Sequence, residues 1–213
     1  MNYTKTILLS LFLLLLSAPL YAQEAGSTEV TGDKKTTLVN SIEKAHKQLT
    51  SLSASFIQEK TSSLFTDKMV QKGKLNYKSP KQLRWEYTSP KAMTVIFSNG
   101  KVLLKTEKGT TSNPNKMLGE MGNMIINTIN GNFLKENSDF STRYYKTKGG
   151  QYAVVLTPVN KRIKAYYKSI SITLSSSTFL ADKVMLTEAN GDVTTITFSD
   201  KKTNTTLSDS LFK

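Results

Sequence analysis

Few residues in this chain could do chemistry. There is one histidine, His46, and no cysteine in 213 residues. A cysteine nucleophile is therefore excluded, and a zinc site, which draws on His and Cys, lacks the ligands to form. No Gly-rich phosphate loop precedes a helix, and no serine lies in a nucleophile elbow. The 16 Asp and Glu stand singly along strand-like stretches, where a solvated face is the ordinary reading. A carboxylate pair assembled only by folding is the one catalytic arrangement left open. No enzyme, metal or cofactor is expected. What the chain carries instead is apolar side chains at strand spacing, whose chemistry is to hold greasy surface.

Most of these lie in the run Gly73–Lys101, GKLNYKSPKQLRWEYTSPKAMTVIFSNGK. Leu75 and Tyr77 alternate with Lys74, Asn76 and Lys78. Leu83, Trp85 and Tyr87 alternate with Gln82, Arg84 and Glu86, and Met93, Val95 and Phe97 make a third stripe. Successive side chains on a strand point to opposite faces, so each stripe marks one face. Ser79-Pro80 and Ser89-Pro90 break the runs, because Pro lacks an N–H and pushes its predecessor out of helix. Asn99-Gly100 is a hairpin turn signal. Such a bulky face, with the only Trp, either packs on something or holds something.

The elements around this run are legible in outline. Met1–Ala22 has Lys5, an apolar run Ile7–Leu16 and Ala22 at a cleavage position. It reads as a signal peptide cleaved near Ala22-Gln23, its apolar run shorter than the roughly 20 residues that span a bilayer. Export without cysteine points to a bacterial periplasm. Residues 23–35 are polar and Gly-containing and read as a flexible tether. Thr36–Leu52 predicts a helix with Leu38, Ile42, Ala45, Leu49 and Leu52 on one face and His46 beside them at a surface or boundary position. From Ser53 the period becomes two, with Ala54, Phe56 and Gln58 sharing a face. Val102–Thr106 pairs back across the Asn99-Gly100 turn.

Asn113-Pro114 then fits a helix start, and Met117, Leu118, Met121, Met124, Ile125 and Ile129 form its apolar face. Strands are expected near 142–148, 152–158, 165–174, 183–189 and 193–199, with turns at Gly149-Gly150 and Asn190-Gly191. The order predicts an α+β fold over 36–213: one domain whose antiparallel sheet curls toward a barrel under a few helices.

The methionine-rich helix is the odd part. Methionine adapts to several apolar shapes, and Gly119 and Gly122 each weaken a helix by about 1 kcal/mol relative to Ala. The segment reads either as a movable cover or as a plug for the concave side, and one helix can be both. The formal charge of +13 belongs to lysines spread along strand faces. It reads first as a solvated face that discourages edge pairing, and alternatively as attraction to anionic headgroups. Nucleic acid is not expected as a partner of an exported protein.

GKLNYKSPKQLRWEYTSP followed by SNGK resembles the LolA family of periplasmic lipoprotein carriers. SASFIQEK, with Phe56 and Gln58, is similar to that family's Phe-x-Gln opening, and EANGDVTTITFSDKKTN to its late strand pair. The likeness covers Thr36–Phe212. It implies a curved, incomplete β-barrel whose concave side is covered by helices and holds lipoprotein acyl chains. It implies a monomer that receives acylated lipoproteins from an inner-membrane ABC transporter and passes them to an outer-membrane acceptor. Leu83 falls where the family has a bulky cavity-facing residue. Phe56, Leu75, Tyr77, Trp85, Tyr87, Val95 and Phe97 would continue that wall, and the Met-rich helix matches the family's lid. The lid-fastening arginine before the first Pro is Ser79 here, with Lys78 next to it on the opposite face. A lipid- or lipoprotein-sensing regulator, or a carrier of another lipid, is the alternative use of the same fold. A peripheral binder of anionic glycan or membrane surface is a third reading.

Overall fold

The computed structural model describes residues 26–62, 65–98, 100–112, 116–134 and 139–213. The leader, Asn99 and the Asn113-Pro114 helix start lie outside the described residues, as do the side chains of Met117 and Met121. In chain order the elements are β1 (Thr28–Glu29), α1 (Gly32–Lys47), β2 (Ser51–Ser62), β3 (Phe65–Lys78), β4 (Gln82–Ser89), β5 (Met93–Ser98), β6 (Lys101–Thr106) and β7 (Gly109–Ser112). There follow α2 (Lys116–Ile129), β8 (Phe140–Lys146), β9 (Tyr152–Pro158), α3 (Lys161–Lys164), β10 (Tyr167–Leu174), β11 (Ala181–Glu188) and β12 (Val193–Thr203).

Among the described residues, the strands join one 12-stranded antiparallel sheet, in the order β1-β8-β9-β10-β11-β12-β2-β3-β4-β5-β6-β7. The outer strands β1 and β7 do not meet, so the sheet stays open, as the resemblance noted above implies. Positive φ at Gly100, Gly150 and Gly191 turns the corresponding hairpins. Residues directly opposed in a ladder share a face, so the registers give the concave side as rows. One row runs Leu52, Tyr77, Leu83, Phe97, Val102, and the next runs Ala54, Leu75, Trp85, Val95, Leu104. Farther along β2 the rows turn aliphatic and then polar: Ile172, Val184, Ile196, Gln58, Gln71, and then Ile170, Leu186, Thr194, Lys60, Met69.

Two apolar clusters occupy this face. The first holds Phe56, Tyr77, Leu83, Trp85 and Phe97, with Leu118, Ile125 and Ile129 of α2 against it. The second holds Leu38 and Ile42 of α1 with Tyr144, Val154, Ile170 and Ile172. Gly73 explains how the first packs so tightly. Phe56 lies opposite it in the ladder, and a Cβ there would sit 2.1 Å from the Glu86 carbonyl oxygen and 2.4 Å from the Phe56 ring. Only a glycine lets the ring lie across β3.

Several boundaries differ from expectation. The described part of the stretch expected as a tether carries β1, paired with β8, and the start of α1 at Gly32. The helix ends at Lys47 rather than Leu52. Leu49 and Leu52 leave its face and join the aromatic cluster, Leu52 as a strand residue opposite Tyr77. β7, with the sequence GTTS, and the single-turn α3 carry too little apolar pattern to be read from sequence.

Candidate functional site

A cavity of about 840 Å³ lies between α2 and the concave face of the sheet. α2 contributes Met124, Ile125, Thr128 and Ile129 to its wall. Of the wall expected from sequence, Leu75, Trp85 and Tyr87 reach the space. Phe56, Tyr77, Leu83, Val95 and Phe97 do not line it; they are buried in the packed aromatic cluster behind it. Leu83 and Val95 are wholly inaccessible. The reason is geometric. The Phe56 and Trp85 rings lie 4.2 Å apart, and Tyr87 and Phe198 meet them edge-on. The rings fill their own side of the bowl.

The rest of the wall is mostly aliphatic and comes from strands that the sequence reading expected but did not place on the cavity. Ile170 and Leu174 of β10, Val184 and Leu186 of β11, and Ile196 and Phe198 of β12 face the cavity. Each sits in an ordinary alternating strand, and the available signal was that alternation, in SISITL and in KVMLTE. What sequence could not supply was which of the two faces is the concave one.

α2 is seated by close contact. A Cβ on Gly122 would lie 2.0 Å from the Phe97 ring, so Gly122 lets the helix backbone rest on that ring. This changes the reading of the glycine: besides weakening the helix, it docks it. Ile126 is buried against the aromatic cluster, Leu118, Ile125 and Ile129 are partly so, and Met124 packs on the second cluster.

The C-terminal end of α2 is fastened by polar groups. The Tyr77 hydroxyl donates to Asn130 Oδ1, and Asn130 Nδ2 donates to the Pro80 carbonyl at 3.2 Å. Burial pushes the Tyr77 phenol above its ordinary value, while Ser79 and Asn130 beside its oxygen work the other way. Ser79 thus sits next to a neutral fastening. Lys78 Nζ lies 2.6 Å from Asp209, in the short turn Asp209–Phe212. His46 is buried, not at the surface. Its Nδ1 lies 2.6 Å from the Ile129 carbonyl oxygen and its Nε2 3.0 Å from that of Phe179. Sequence could not reveal this role, because both partners are backbone carbonyls far away in the chain.

The other end of the cavity is polar. Lys60 Nζ lies 2.8 Å from Glu188 and 3.5 Å from Asp192. The bond to Glu188, first among the causes, raises the Lys60 ammonium above its ordinary value against the opposing pull of burial. Tyr87 donates to Gln58 at 3.1 Å. Tyr167 and Ile163 complete this rim, and exposed Glu120, Asn123 and Asn127 of α2 border the cavity where it meets solvent. The arrangement suits an apolar guest with a polar end. No helix among the described residues is long and apolar enough to cross a membrane.

The sequence pattern of the family described as outer membrane lipoprotein carrier protein LolA matches residues 47–213. No curated protein sequence matches the chain. Among solved structures, the chain is similar to a LolA superfamily protein from Nitrosomonas europaea at 10% identity, covering 84% of this chain and 96% of that one, with a TM-score of 0.45. It is similar to the Mycobacterium tuberculosis lipoprotein LppX at 10% identity, covering 81% and 98%, with a TM-score of 0.47. The MucA/MucB complex of Pseudomonas aeruginosa is similar at 13% identity, covering 84% of this chain and 60% of that one, with a TM-score of 0.47.

Proposed function

The chain belongs to the LolA family of outer membrane lipoprotein carrier proteins, and from that premise we propose that it is a periplasmic carrier of acylated lipoproteins. In this reading the cavity holds acyl chains. An inner-membrane ABC-type complex loads it, and an outer-membrane acceptor unloads it. The observation that carries the reading is the largely apolar cavity under a helix that packs on the sheet with apolar side chains. Its volume of about 840 Å³ falls in the range of ligand sites, about 300–1,000 Å³.

The energetics require such a site. Burying a CH₂ is worth about 0.8 kcal/mol, so a long acyl chain is worth on the order of 10 kcal/mol and will not cross water unaided. A carrier must match this and still release its load. Here the empty space lies against the aliphatic wall, and Ile125 and Ile129 both line that space and touch the aromatic cluster. A guest larger than the space displaces α2 and exchanges one apolar contact for another. The net affinity is then a difference between similar burials, which keeps transfer reversible.

Native mass spectrometry of the protein taken from its own periplasm without detergent tests this. A bound acylated lipoprotein is the expected result. A bound free lipid would keep the cavity and change the cargo. A protein that stays empty after incubation with lipoprotein-bearing membranes and an energised donor would end the carrier reading.

A further inference from the structure

We infer that the corner running from the end of β9 through α3 into β10 is a docking surface for an anionic lipid bilayer, which sets the polar rim of the cavity against the membrane. The inference takes its purpose from the carrier reading, but it is tested separately. The segment is VNKRIKAYYK, Val159–Lys168, and the chain has no acidic residue between Asp139 and Asp182. Lys161, Arg162, Lys164 and Lys168 are all exposed, and none makes an ion pair among the described residues.

Apolar groups stand among these cations. Tyr166 is 70% exposed and Val159 45%, while Ile163 between them is half-buried and reaches the cavity. Across the rim Met69, 65% exposed, lies opposite Lys60 in the β2–β3 ladder. Large apolar side chains this exposed, set among cations, match the composition of a surface that enters the headgroup layer.

Among the acidic groups of this end, Glu188 and Asp192 share Lys60, Glu59 lies 3.9 Å from Lys68, and Asp139 accepts from the neutral Asn160 amide at 2.7 Å. The corner segment Val159–Lys168 itself holds four cations and no acidic residue, and this positive strip complements anionic headgroups. The corner is also rigidly joined to the rim. Asn160 Oδ1 accepts from the Arg162 backbone N–H at 2.9 Å, and the Tyr166 carbonyl accepts from the Ala189 N–H, next to Glu188, at 2.8 Å. A membrane held by the corner is therefore held at the cavity entrance. The lysines of the convex face, such as Lys72 and Lys74, lie elsewhere and take no part.

The test is co-sedimentation of the full mature chain with vesicles of phosphatidylcholine, with and without phosphatidylglycerol. Binding should need the anionic lipid and weaken with salt. Replacing Lys161, Arg162 and Lys164 together by Gln should lower affinity about a hundredfold, at roughly 1 kcal/mol for each cation. Tyr166→Ala should lower it further, whereas Lys72→Gln with Lys74→Gln should change little. A triple variant that folds and binds like the unaltered protein overturns the inference. So does an unaltered protein that ignores anionic vesicles, or that binds them only when a membrane protein is present. Uptake of a water-soluble, single-chain lysolipid, read by native mass spectrometry, separates the two claims. The triple variant should keep uptake and lose docking. A protein that docks but takes up no lysolipid keeps this surface and overturns the carrier reading.

Discussion

The two walls of the cavity are made from different materials. On β2–β4 the concave face is aromatic and closely packed: along β4, Leu83, Trp85 and Tyr87 are buried in strict alternation, and only Trp85 and Tyr87 of these border the cavity. On β11 no residue from Ala181 to Glu188 is fully buried, and Val184 and Leu186 stand half-exposed toward the empty space. The aromatic wall is finished, filled by its own rings and by α2. The aliphatic wall still lacks contacts. Interiors normally pack to crystal-like density, so the unfinished wall is where a guest gains most. The residues that dominate the sequence pattern build the frame, and weaker-patterned ones leave the vacancy.

The largest test of this contrast is Leu83→Glu. Leu83 is wholly buried among apolar groups, so an unpaired carboxylate there costs several kcal/mol. Thermal unfolding should show a lost or severely destabilised fold. A variant that folds normally and loses only cargo would show that the aromatic wall opens after all. Gly122→Ala comes next. Its Cβ would overlap the Phe97 ring, and such overpacking costs about 1–3 kcal/mol. Hydrogen exchange in α2 should rise more than in the sheet, and adding Phe97→Leu should restore part of the loss.

Tyr77→Phe removes the hydroxyl that fastens Asn130, an effect of about 1 kcal/mol, felt mainly at the C-terminal end of α2. It should also alter the alkaline limb of stability. The Tyr77 phenol is raised in the fold, so above the ordinary tyrosine value of about 10 the unfolded chain loses this proton first and stability falls. Below that pH the group adds no slope, and the Phe variant should fall less steeply above it. The smallest change in stability, within about 1 kcal/mol, belongs to Val184→Asn on the unfinished wall. This substitution should nonetheless reduce lysolipid uptake at least roughly tenfold, since it sets an amide among the guest's methylenes. If uptake survives there and fails in Tyr87→Ala, the roles of the two walls are exchanged.

The sheet and the covering helix were legible because their signals are local. Alternation over Leu75–Phe97 and the apolar stripe Leu118–Ile129 need no partner to be read. The cavity wall was only half legible, since concavity is a property of the whole sheet. Alternation shows that Val184 and Lys183 face opposite ways, but not which way the sheet bends. Leu52 was misplaced because Leu49 and Leu52 continue the helical spacing of α1 by coincidence, while the chain has already turned at Gln48 to pair with β3. His46 and Asn130 act on backbone carbonyls, which leave no trace in side-chain patterns.

The ladder between β2 and β12 has a bearing on when the protein becomes competent. It pairs residues 52–61 with residues 193–203, near the two ends of the described chain, in the middle of the sheet. Such non-local pairing is slow, because a long loop must close before any contact rewards it. A folding chain therefore forms separate hairpins first: β3–β6 on one side and β8–β10 on the other. The two halves join into one bowl only when β12 reaches β2, so the cavity between them is the last part of the fold to take shape.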